Sequence, residues 1–116
     1  MPKQRQFRFS DHIQPSHDEP IRSVITESED SVVVAWHVAP GQQIAPHVHP
    51  NGQDTWTVLM GRGEYQIDED GETIAIMQGD IVVAHKGEVH GVYNDGDEPL
   101  VFVSVVAPFT AGFEEL

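Results

Sequence analysis

From Ile21 onward the apolar residues fall in short runs of five to eight, rich in Val, Ile, Thr and aromatic side chains, with Gly, Pro, Asn or Asp between one run and the next. Runs of that length and composition, bounded by turn formers, predict β-strands. Nine are predicted, over residues 21–26, 31–38, 43–47, 55–60, 64–67, 72–77, 80–84, 89–94 and 100–106. No stretch of helical length carries apolar residues at spacings of three and four, because Gly or Pro interrupts the chain about every ten residues.

The connections are short. Gly61-Arg62-Gly63 joins two strands, Asp70-Gly71 suits a primed turn, and Asn94-Asp95-Gly96-Asp97 makes a third reversal. Tight turns build antiparallel neighbours, and short antiparallel strands must bury their apolar faces against one another. Closing the sheet on itself also hides its hydrogen-bonding edges, so the expected class is all-β, a barrel or jelly roll. Gly41, Gly61, Gly79 and Gly87 read as turn positions. Residues 1–20 differ, carrying Lys3, Arg5 and Arg8 together with His12, Pro15, His17 and Pro20. They are expected to form an arm ahead of a barrel domain over residues 21–116.

Composition narrows the partners. At 116 residues the chain has room for one domain, and six Lys and Arg against 19 Asp and Glu leave a formal charge of −13. That surplus repels phosphate backbones and anionic lipid, so neither nucleic acid nor membrane is an expected partner. The chain has no Cys, which removes disulfides and thiolate nucleophiles. No apolar run follows the basic N-terminus, so no secretion signal is predicted and the expectation is a cytoplasmic protein. A chain this short has a small core, and a homodimer is expected.

Two of the seven histidines stand as His47-Val48-His49. In a strand, residues two apart project to one face. Two imidazoles directed into a closed barrel can hold one metal ion; the plainer alternative is an exposed pair on a strand edge. The surroundings of the pair decide. Gly41 lies six positions before His47, Asp54 five after His49, and Gly61 seven after Asp54. Further on, Gly79 is followed by His85, Gly87, His90 and Asn94.

The stretch from Gly41 to Gly61 resembles the first cupin motif, with Asp54 in place of its glutamate. The stretch from Gly79 to Asn94 resembles the second, with His85 in place of its proline. Together they span 37 of the 116 residues. The resemblance, to small single-domain cupins, implies a double-stranded β-helix jelly roll with a metal at its centre. It implies His47, His49 and His90 as imidazole ligands, and Asp54 as the carboxylate ligand with Gln53 as the alternative. Three neutral imidazoles and one carboxylate leave a divalent ion with a net charge of about +1 and open positions. Mn, Fe, Co, Ni, Cu and Zn all accept such a set.

Other residues carry weaker expectations. His85 is expected at the surface, His12 and His17 in solvent, and Asn94 as a turn cap; His37 has no predicted side. Asp68-Glu69-Asp70 reads as a solvated hairpin tip. Trp56, Val58 and Met60 share parity with Asp54 and are expected to face the interior, with Trp56, Tyr65 and Phe102 as candidate contacts of a small-molecule ligand. Ser104 and the threonines show no adjacent acid or base, so no separate nucleophile is predicted. The implied activity is metal-dependent catalysis of the dioxygenase or isomerase type on a small oxygen-rich molecule. A non-catalytic binding module and a metal-free epimerase are the alternatives.

Overall fold

The computed structural model describes residues 3–116. Ten strands follow in order: β1 (Ser23–Glu27), β2 (Val32–Val38), β3 (Gln43–Val48), β4 (Gln53–Met60), β5 (Arg62–Gln66), β6 (Thr73–Met77), β7 (Ile81–Ala84), β8 (His90–Tyr93), β9 (Leu100–Ala107) and β10 (Glu114–Glu115). The first nine correspond to the nine predicted runs. β10 has no apolar run to announce it and exists by pairing with His47 and Val48 of β3. No α-helix occurs among the described residues, only single turns of 3-10 helix at Phe9–Asp11 and Phe109–Ala111. None is long and apolar enough to cross a membrane.

The strands form two five-stranded antiparallel sheets, ordered β1-β2-β9-β4-β7 and β10-β3-β8-β5-β6. β1-β2 and β5-β6 are hairpins within one sheet, every other step between consecutive strands crosses from one sheet to the other, and the two inner faces enclose one interior. Its apolar part is built by Val38, Trp56, Val58, Tyr65, Ile76, Val92, Leu100 and Phe102. Trp56 stacks on Phe102 at a centroid distance of 4.1 Å and meets the edge of Tyr65 at 5.1 Å. Aromatic pairs at these separations add to the large area each ring removes from water.

Two irregularities change which side chains point inward. In β3, Ile44 pairs with Val92 while His47, not Pro46, pairs with His90. The extra residue is a bulge, and it falls where Pro46 has no N–H to give to the ladder. Ile44 therefore shares the inner face with His47 and His49, although strict alternation would have turned both histidines outward. Gly91 leaves room for the bulge: a Cβ there would lie 2.8 Å from the Ile44 carbonyl oxygen. In β4 the register shifts between Val58 and Met60, and Met60 ends half exposed. Of the three residues expected inside by parity, Trp56 and Val58 are buried and Met60 is not.

Candidate metal centre

Three strands and one loop deliver the polar cluster. β3 and the residue after it carry His47 and His49, β4 carries Asp54, and β8 opens with His90. One ligand-competent atom from each lies within 4.8 Å of the others, and all four side chains are buried. The turn before β8 links the two halves of the site, because the Gly87 N–H donates to the His49 carbonyl at 3.0 Å. Gly87 holds φ at +77°, a left-handed conformation that favours glycine.

Each imidazole is oriented by a backbone carbonyl. Nδ1 of His47 lies 2.8 Å from the Ala45 oxygen, Nδ1 of His49 lies 2.6 Å from the Gly112 oxygen, and Nδ1 of His90 lies 3.2 Å from the Glu88 oxygen. A carbonyl can only accept, so each Nδ1 carries the proton and each Nε2 presents a lone pair. Two of those lone pairs face Asp54, whose Oδ2 lies 3.0 Å from Nε2 of His90 and 3.4 Å from Nε2 of His49. Its other oxygen, Oδ1, accepts the Ser104 hydroxyl at 2.5 Å.

Lone pairs directed at a carboxylate repel unless a proton or a cation stands between them. Nε2 of His49 is buried with no hydrogen-bond partner. The donor set of three ring nitrogens and one carboxylate oxygen fits a divalent transition metal, and the orphaned nitrogen is accounted for as a ligand. The titration behaviour has the same cause. Burial, reinforced by the neighbouring His90, pushes the His47 imidazole down to about 4, favouring the neutral, ligating form. Burial also penalises charge on His49, but the Asp54 carboxylate beside it and the hydrogen bond to the Gly112 carbonyl outweigh this and raise it. Asp54 is held well below the usual carboxylate range: burial would raise it, but the His49 and His90 rings against it and the hydrogen bond from Ser104 outweigh that.

The cluster opens into a cavity of about 310 Å3. Val34, Trp36, Ile44, Val106 and Phe113 form its apolar walls, and Glu19, Arg22 and Glu115 stand among its polar lining. Phe113 is largely exposed, yet its ring lies 5.0 Å from that of His47.

The four ligand candidates Asp54, His47, His49 and His90 are thus brought together. Gln53, the alternative carbonyl ligand, is exposed on the opposite face of β4. Trp56, Tyr65 and Phe102, expected as ligand contacts, pack in the apolar cluster and are not among the residues that line this cavity. They share the interior with the site but lie further along their strands. His85 is exposed and bonds Glu88. Asn94 is fully buried, and its side chain holds Val38, Glu98 and Gly96. Ser104 has the acid neighbour that sequence spacing did not reveal, 50 positions away. Its signal was a single hydroxyl among inward-facing Leu100, Phe102 and Val106. Gly112 and Phe113 carried no such signal, since the close of the chain reaches the site only by pairing with β3.

Comparison with known proteins agrees with this fold. The pectin degradation protein KdgF of Dickeya dadantii is 30% identical over 92 residues, covering 79% of this chain and 81% of that protein. The oxalate-binding protein of Thermotoga maritima is 28% identical over 67 residues, 58% of this chain, and the chain spans about half (54%) of that protein's length. A crystal structure of a conserved Klebsiella pneumoniae protein with a double-stranded β-helix domain superimposes with a TM-score of 0.93, at 53% identity over 97% of both chains. The family model described as "Cupin domain" matches residues 34–106, which contain all four side chains of the cluster, and the chain belongs to the cupin family.

Proposed function

We propose that this protein is a small metal-dependent cupin enzyme, of the dioxygenase or isomerase type, acting on a small oxygen-rich molecule. The observation that carries this reading is the convergence of three Nε2 atoms and one carboxylate on a point that opens into a cavity. When bound, a divalent ion supplies Lewis acidity and open coordination positions for oxygen donors. Asp54 contributes the compensating negative charge. The carbonyls of Ala45, Gly112 and Glu88 hold the rings in one tautomer, and Ser104 fixes one carboxylate oxygen. The apolar walls limit water around the reacting molecule. Ser104 is committed to Asp54 and meets no imidazole base, so covalent catalysis through it has no support.

The relatives' names favour oxygen-rich ligands, oxalate in one case and the polysaccharide pectin in the other. The former also favours a second reading, a binding module that holds its ligand unchanged.

Elemental analysis of purified protein tests the metal. We expect about one transition-metal ion per chain in wild type and none in His47→Ala with the fold retained by circular dichroism. A wild-type chain that binds no metal after repletion overturns the proposal. Dioxygen uptake and product formation across a panel of diols, enols and hydroxy acids then separate enzyme from binder.

A further inference from the structure

We infer that the ligand of this cavity is a monocarboxylate, and that Arg22 is the residue that selects it. The inference rests on the metal-site reading above and adds the substrate class.

Arg22 is the one Lys or Arg in the cavity lining, and it makes no ion pair among the described residues. Its position is built. The next residue, Ser23, is buried, pairs with Ala35, and takes a hydrogen bond from Gln14. Ala35 points away from the interior, between Val34 and Trp36 of the cavity wall. Strand parity therefore turns Arg22 to the cavity side, where it stands exposed at the cavity's edge, one step beyond the ladder at the level of Trp36.

Left without an ion pair and open to solvent at the cavity, the Arg22 guanidinium is free to meet an anionic group that enters from outside. Its planar fork matches a carboxylate in two parallel hydrogen bonds. The cavity of about 310 Å3 sits at the small end of ligand pockets, which run from about 300 to 1,000 Å3. It therefore takes a compact acid whose carboxylate meets Arg22 while other oxygens reach the His and Asp cluster. Val34, Trp36 and Val106 cover the carbon skeleton between them. Glu19 and Glu115 also line the cavity without pairing to Arg22, and they disfavour a second anionic group.

Isothermal titration of manganese-loaded protein with gluconate, sorbitol and glucarate tests this, with metal content measured on the same samples. Gluconate and sorbitol share a skeleton and differ by the carboxylate. We expect wild type to bind gluconate at least tenfold more tightly than sorbitol or glucarate. Arg22→Gln is expected to lose at least tenfold for gluconate, with sorbitol affinity and metal content unchanged, and Arg22→Lys to fall between. Equal affinity for gluconate and sorbitol, tighter binding of glucarate, no gluconate binding, or an Arg22→Gln variant with wild-type affinity overturns the inference, even where metal is bound. Absence of metal with the Arg22-dependent preference intact overturns the metal reading alone.

Discussion

The interior of this barrel has two ends built from the same strands. On β4, Asp54 serves the His and Asp cluster and Val58 the apolar core; on β8, His90 and Val92 divide the same way; on β9, Ser104 and Leu100 do. The apolar end is closed, with Leu100 and Phe102 fully buried. At the other end the buried side chains are polar, and a cavity opens beside them. A step of two or four residues along a strand thus separates packing from chemistry. The closed end gives the rigid frame that holds four ligand atoms within 4.8 Å, and Trp56 joins the two, its ring 5.8 Å from that of His90.

The largest effect should come from the closed end. Phe102→Ala removes a fully buried ring, and denaturant unfolding is expected to show a loss of about 3–5 kcal/mol. Metal binding should weaken with it; a variant that loses this stability yet keeps wild-type metal affinity would break the link between the two ends.

Acid should expose the opposite end. In metal-free protein the unfolded His47 takes up its proton near 6.5 and the folded one near 4, so between those values the unfolded state binds more protons. Stability is expected to fall by about 3 kcal/mol as pH drops from about 6.5 to about 4, and His47→Gln should flatten that limb. His49 acts with the other sign. Its raised affinity contributes stability that is full below the ordinary imidazole value and lost as pH rises through the folded one, and His49→Gln should flatten that limb. Urea midpoints measured across pH give both slopes.

Metal addition comes next. At a concentration one hundred times the dissociation constant, it should stabilise wild type by about 2.7 kcal/mol. The same addition should do nothing for His47→Ala, while Phe102→Ala, if folded, should still respond.

The smallest effect on stability belongs to the turn between the motifs. Gly87→Ala forces a side chain into the left-handed region at a cost of about 1–2 kcal/mol in melting experiments. Its effect on metal affinity should be proportionately larger, since this turn ties His49 to the loop that carries His90.

Strand content and the closed all-β class are legible along the chain, and the four ligand candidates follow from the resemblance of two stretches to the cupin motifs. Alternation, turn residues and the spacing of Gly, His and Asp are local properties, and they are written in order along the chain. Tertiary structure decided the rest. The bulge at Pro46, the outward turn of Met60, the carbonyls of Gly112 and Glu88 behind the rings, and the Ser104 bond to Asp54 all depend on which strand lies beside which. So does the pocket wall. Trp56, Tyr65 and Phe102 have the right parity to face inward, but parity gives only a side, not a depth. Depth is set by register between strands distant in sequence, and that register placed Arg22 and Phe113 beside the cluster and the three aromatic rings beneath it.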